Sequence, residues 1–207
     1  MALGNINAGK LSVGFVTSLI SSLQAGVFEK VILKAHGPYL DDGRNHVVRE
    51  FLNQTDCEYL LFIDSDITWT PEHVTSLLEA ASRKRVVGGV YLNPYPTGIH
   101  PVVYNSFYDT DLEVATLVPT PMDDINSSDS RLVPCQAVGT GFMCIHRDIL
   151  TAIGEKFEAP CEYFAEPVVN GVHVGEDLAF CLRAHHLGFG VFVDKATVVN
   201  HTKEITL

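Results

Sequence analysis

Apolar residues fall along this chain in two ways: in short unbroken runs, and in longer stretches where they recur every three or four positions. Unbroken runs of this length predict buried strands, and the recurrence predicts helices. The plainest strand is Leu60-Leu61-Phe62-Ile63, which does not alternate and so reads as covered on both faces, as in the middle of a parallel sheet. Residues 11–16, 30–35 and 86–91 read as further strands, with late ones at 190–193 and 197–199. Helical spacing is found over 17–29 (Leu19, Ile20, Leu23, Phe28) and 44–53 (Val47, Val48, Phe51, Leu52). It recurs after Pro71, where Val74, Leu77, Leu78 and Ala81 make one face and Thr70 stands as the N-cap. Short helices are predicted over 147–153 and 176–187, the second closed by Gly188. Residues 36–43 and 93–96 are rich in Gly and Pro and read as loop and turn. Residues 102–119 fit a pair of antiparallel strands, 122–131 a polar, mobile loop, and regular structure resumes over 135–145. No internal repeat is present. Strand and helix alternate four times, so the expectation is an α/β fold: one domain over 1–207, with a mostly parallel, doubly wound sheet, flanking helices and a smaller antiparallel element.

Composition narrows the function more than the fold. The 207 residues are 46% hydrophobic and 19% charged, ordinary for a globular chain. The net charge of −11 argues against a nucleic-acid partner and means that an anionic substrate needs local help from a cation or a few placed basic groups. Five cysteines (Cys57, Cys135, Cys144, Cys161 and Cys181) form no C-x-x-C pair and read as free thiols in a reducing compartment. No basic region leads into an apolar stretch at the N-terminus, and no segment has the length of a membrane span. The expectation is a soluble, cytoplasmic protein, in the host cytoplasm for a viral source.

Candidate chemistry begins where the central strand ends. Asp64-Ser65-Asp66 puts two carboxylates one residue apart at the carboxyl edge of the sheet, where open α/β folds bind ligands. Carboxylates this close repel, and a divalent cation relieves the repulsion; the plain alternative is a helix cap with a solvated neighbour. Gly43-Arg44-Asn45 opens a predicted helix and could face an anion, or be an exposed helix start. Glu176-Asp177 begins a later helix, where acids also simply compensate the dipole. Asn200-His201 follows the last strand, where a lone histidine is usually a surface residue.

The order of these features resembles the GT-A fold glycosyltransferases, and within them the family 2-like members, including small viral and bacterial ones. The likeness runs over nearly the whole chain. Arg44-Asn45 matches the family's R-N, Asp64-Ser65-Asp66 its D-x-D, and Gly139-Thr140-Gly141-Phe142 a glycine-containing loop near the sugar. Glu176-Asp177 matches the E-D pair, and His201 the late metal-binding histidine. One departure is Lys34-Ala35-His36 at the end of the second strand, which lacks the acid that often contacts the base.

The resemblance implies a hexosyltransferase using a nucleotide-sugar donor, UDP-sugar favoured, and a glycan or glycoprotein hydroxyl as acceptor. It implies donor contacts from Arg44, Asn45, Asp64, Ser65, Gly139, Thr140 and Gly141, and Mn²⁺ or Mg²⁺ held by Asp66 and His201 with Asp64 helping. Such a cation neutralises the departing diphosphate, and one histidine tilts the choice towards Mn²⁺. Asp177 becomes the general base of an inverting reaction, with Glu176 orienting sugar or acceptor; a retaining course follows if Asp177 only binds sugar hydroxyls. Two alternatives stand beside this. Asp64 to Thr68 also fits the D-x-D-x-T of haloacid-dehalogenase-like phosphohydrolases, with Asp64 as nucleophile, and a non-catalytic nucleotide-sugar-binding module would keep the fold without turnover.

Overall fold

The computed structural model describes residues 1–95, 98–109, 114–160, 162–169 and 171–202. Pro96 of the predicted turn, residues 110–113 of the predicted strand pair and the thiol of Cys161 lie outside them. In chain order the elements are β1 (Ala2–Asn7), α1 (Val13–Gln24), β2 (Lys30–Ala35), α2 (Leu40–Gln54), β3 (Tyr59–Ile63), β4 (Ile67–Thr68), α3 (Pro71–Lys84) and β5 (Val86–Val90). Then come β6 (Leu92–Tyr95), β7 (Gly98–Pro101), β8 (Val103–Asp109), β9 (Val114–Pro119), α4 (Met122–Ser127), β10 (Leu132–Cys135), β11 (Ala137–Val138) and β12 (Phe142–His146). The chain closes with α5 (Arg147–Lys156), β13 (Val168–Val169), β14 (Val172–His173), α6 (Glu176–His186), β15 (Val191–Val198) and β16 (Asn200–His201).

Seven strands form the central sheet in the order β10-β15-β5-β12-β3-β1-β2. Strands β2, β1, β3, β5 and β15 run one way, while β12 and β10 run against them. The expected α/β class with a mostly parallel sheet and small antiparallel elements is what the chain adopts. The central run behaves as its pattern demands. Leu60 and Phe62 enter the core on one face of the sheet with Val47, Phe51 and Phe180, and Leu61 and Ile63 enter the other with Phe15, Trp69 and Leu77. All four are at most 1% exposed, and each such burial stabilises by about 1.5–3 kcal/mol.

Four expectations are corrected. The first strand is Ala2–Asn7, not 11–16, because Gly4, Asn5 and Asn7 disguise a buried strand. Asn5 is fully buried, and its amide donates to the Ile63 carbonyl at 2.8 Å, which settles its polarity inside the sheet. Residues 13–16 instead begin α1, whose N-cap Ser12 accepts from the Phe15 N–H. Helix α2 starts at Leu40, so Gly43, Arg44 and Asn45 lie inside it, with Asp41 and Asp42 supplying the acidic first turn. Residues 122–127 form α4, docked by the buried Ile125, not a mobile loop. The two late strands are one, β15, bulged between Asp194 and Val198. The buried Asp194 that interrupts its apolar run accepts from Arg131 Nε and Nη2 at 2.8 and 2.7 Å and from the Thr197 hydroxyl at 2.7 Å.

The antiparallel insertion of β12 matters for the site. Its first residue, Phe142, pairs with Ile63, the last of β3, so the loop before β12 reaches the sheet edge where β3 ends. Strands β5 and β15 end at that edge too, and β16 then pairs with β4, bringing His201 opposite Ile67.

Candidate active site

Beyond β3 the chain turns tightly through Asp64, Ser65 and Asp66. The turn is pinned by the Ile67 N–H on the Asp64 carbonyl, the Ser12 N–H on the Ser65 carbonyl and the Thr202 N–H on the Asp66 carbonyl, at 3.1, 3.1 and 2.9 Å. The Asp64 N–H donates to the Gly141 carbonyl at 3.0 Å, which joins the D-x-D turn to the glycine loop. Both carboxylates stay about one-third exposed.

Arg44 is the hub. It stands in the second turn of α2, where the helix lies over β1 and β2, and it is only 4% exposed. Its Nε donates to Glu176 Oε1, 132 residues on, at 2.9 Å and its Nη2 to Asp64 Oδ1 at 3.2 Å, so one guanidinium ties the D-x-D turn to the E-D helix start. Burial works against its charge, but Asp64, Glu176 and Asp177 outweigh burial and hold it firmly protonated. Its Nη1 is buried without a hydrogen-bond partner among the described residues. A buried, unmatched N–H on a cation costs more than 1 kcal/mol, so a ligand acceptor here is favoured.

The two acids of α6 separate in role. Glu176 is buried on Arg44. Asp177 is half-buried. Burial, then the Glu176 charge and, further down, Asp64 push its carboxyl up to about 7, against the opposing pull of Arg44 and of the Leu178 N–H on its Oδ1 at 2.8 Å.

Asp66 meets His201. The histidine Nδ1 lies 2.8 Å from the Leu92 carbonyl, which can only accept, so Nδ1 carries a proton. A neutral ring therefore aims its Nε2 lone pair at Asp66 Oδ2, 3.1 Å away. Two acceptors facing each other this closely fit a shared cation or a protonated ring. Asp64, Asp66 and His201 do not gather into one three-ligand cluster among the described residues: Asp66 goes with His201 and Asp64 with Arg44.

Tyr91, just past β5, escaped the sequence reading although it follows a buried strand at the ligand edge. It is 6% exposed, its hydroxyl accepts from the Gly141 N–H at 3.1 Å, and its ring meets His201 edge-on at 5.3 Å. Burial, helped by the Asp64 and Asp177 charges, keeps its hydroxyl protonated. Tyr91 also explains both glycines. A Cβ on Gly139 would collide with its hydroxyl and come within 2.6 Å of Val102 Cγ1, and one on Gly141 would lie 2.8 Å from the ring and 3.2 Å from Asp64 Oδ2. Thr140 between them is buried.

Asn45 is spent elsewhere. Its amide donates to the Phe164 carbonyl at 2.7 Å and accepts the Tyr163 and Phe164 N–H groups at 3.0 Å, clamping the segment that leads to α6. Arg44, Asp64, Ser65 and Asp66 line one side of a recess of about 190 Å³. Asn7, Leu40 and His36, the last standing where the family's acid is missing, line the other side. A larger hollow, of about 690 Å³, opens at the opposite sheet edge against Glu29, Asp56, Glu58 and Glu79, away from all of these groups.

Residues 30–134 match the family model of Glycosyl transferase family 2. Among solved structures, A197 from STIV shares the fold at a TM-score of 0.61 and 16% identity, over 98% of this chain and 85% of that one. GalNAc-T7, solved with UDP, GalNAc and Mn²⁺, shares it at 0.66 and 10% identity, over 99% of this chain; this chain spans 44% of the GalNAc-T7 one. At these identities the likeness is one of fold. No curated protein matches the chain.

Proposed function

The chain belongs to glycosyltransferase family 2, and we propose that its 207 residues act as one catalytic domain that moves a hexose from a UDP-sugar to an acceptor hydroxyl with inversion. The observation that carries this reading is the buried Arg44 Nη1 without a partner, on a cation that lines the recess and already joins the D-x-D turn to the E-D helix. A diphosphate oxygen of the donor would satisfy it. Asn7, His36 and Leu40 would then take the nucleoside side of the recess, and the Gly139–Gly141 loop the sugar side.

Asp66 and His201 would hold Mn²⁺ or Mg²⁺, because the paired acceptors at 3.1 Å suit a cation. Bound there, the ion supplies positive charge against the leaving diphosphate. Arg44 adds a fixed charge on the same side without reorganising. Glu176 holds Arg44 in place. Asp177, held near neutrality, accepts the proton of the acceptor hydroxyl as that oxygen attacks the anomeric carbon. The phosphohydrolase alternative is not supported: Asp64 follows the third strand and is tied to Arg44, where that chemistry needs a free nucleophile on the first. Four buried free thiols, Cys57, Cys135, Cys144 and Cys181, support a reducing, cytoplasmic setting.

UDP release from a panel of UDP-hexoses, with Mn²⁺ and with EDTA, in wild type and Asp66→Ala, tests the reading. Metal-dependent release in wild type, lost in the variant, is expected. Donor binding with no release on any acceptor would return the chain to a binding module, and equal release in both proteins would remove the metal from Asp66.

A further inference from the structure

The surface that an acceptor must cross to reach Asp177 has a chemistry of its own. Strand β8 sets Tyr104 opposite Ala137, two residues before Gly139. Strand β11, which carries Ala137, packs on α6, whose first turn holds Asp177. The Tyr95 hydroxyl meets the Tyr104 hydroxyl at 2.7 Å, and the His100 ring lies 5.9 Å from that of Tyr95. The β6–β7 hairpin that bears Tyr95 and His100 is tied at its root to the site by the Leu92 carbonyl on His201. Asn93, paired with His100, shares the hairpin face of these half-buried rings, and Ile99, 70% exposed, stands on the other face.

Charge completes the description. Residues 86–130 contain no lysine or arginine, and neither do residues 157–182, the segment leading into and through the start of α6. The first stretch holds six acidic residues and the second five. Of the basic groups that border them, Arg85 is committed to Asp148, Arg131 to Asp194, and Arg183 to the Glu162 carbonyl and the Phe157 ring. Proteins that accept phosphate or carboxylate groups place arginine or lysine to meet them. Here such a group would approach Asp177, whose charge already acts on Tyr104, and like charges discriminate against it. Aromatic rings with hydroxyl edges suit the opposite kind of ligand, one with apolar C–H faces and neutral hydroxyls.

We infer that the acceptor is an uncharged saccharide seated on the Tyr95–Tyr104 pair, and that acceptors bearing phosphate, sulfate or carboxylate are excluded. The inference rests on the glycosyl-transfer reading above. It is tested by acceptor-stimulated UDP release from UDP-glucose, UDP-galactose and their N-acetylamino counterparts with Mn²⁺, offering cellobiose, methyl β-glucoside and methyl β-galactoside against the 6-phosphates of the same sugars. The neutral sugars are expected to exceed their 6-phosphates by at least tenfold in kcat/KM. Asn93→Lys, on the hairpin face that carries Tyr95 and His100, should narrow that gap at least threefold. Tyr95→Ala should raise the KM for the neutral sugar about tenfold, and Tyr95→Phe, which keeps the ring, much less. Equal or better use of a 6-phosphate, no stimulation by any neutral sugar, or an unchanged acceptor KM in Tyr95→Ala would overturn the inference alone. No UDP release from any donor, with or without acceptor, would overturn the glycosyl-transfer reading and the inference with it.

Discussion

Asp177→Asn should make the protein more stable and nearly inactive at once. A helix-start argument alone expects neutrality, since Asn and Asp serve equally well there. The surround of Asp177 changes that expectation. Its carboxyl is pushed from 3.8 to about 7, first by burial and then by Glu176. At 1.36 kcal/mol per tenfold, ionising it costs about 4 kcal/mol more in the fold than in the unfolded chain. Water at its half-open side trims this to about 2–4 kcal/mol. Because the folded pKa is raised, the native state holds the proton more tightly than the unfolded one between pH 3.8 and 7, and wild-type stability falls as pH rises through that window. Asn carries no such charge. The variant should therefore match wild type near pH 4 and exceed it at pH 8 by about 5–15 °C in Tm for a chain of this size. Circular-dichroism melts at pH 4, 6 and 8, without donor or metal, measure the gap. Transfer in the same preparation should fall by about 10²–10⁴, and wild-type kcat/KM should lose about tenfold per pH unit below 7. A variant no more stable than wild type at pH 8, or a gap that ignores pH, would refute the description of Asp177 as a carboxyl held against ionisation.

Three further substitutions probe the rest of the site. Arg44→Lys keeps a charge but cannot reach Glu176 and Asp64 together; it should cost about 3–5 kcal/mol of stability by leaving a buried carboxylate poorly paired and weaken UDP-sugar binding at least tenfold, and unchanged donor affinity by calorimetry would remove Arg44 from the donor site. Gly139→Ala should lower stability by about 1–3 kcal/mol through overpacking against Tyr91 and Val102, and Tyr91→Phe, which removes the colliding hydroxyl, should recover part of that loss; strictly additive melts of the two changes would show that the glycine is not there to admit Tyr91.

The sequence by itself determined the elements whose pattern is local. Leu60–Ile63 reads as a doubly buried strand because nothing in it alternates, and α3 and α6 are legible from apolar spacing and end residues. The D-x-D turn, the E-D helix start and the late histidine were legible as residue types in order. Where local pattern misleads, a long-range partner is the cause. Strand β1 hid behind Asn5, whose polarity is met by a carbonyl 58 residues away, and β15 looked broken at Asp194 because its partner Arg131 lies 63 residues back. Helix α2 absorbed Gly43 because its face packs on the sheet, which a propensity of about 1 kcal/mol cannot outweigh. The site was decided almost wholly by tertiary structure. That Arg44 spans Asp64 and Glu176, that Asn45 is spent on a loop, that Tyr91 fills the space left by two glycines, and that Asp177 sits where ionisation is costly are all contacts between segments far apart in the chain. Hydrogen bonds and charges act over a few ångströms, and only the folded sheet brings residues more than a hundred positions apart within that reach.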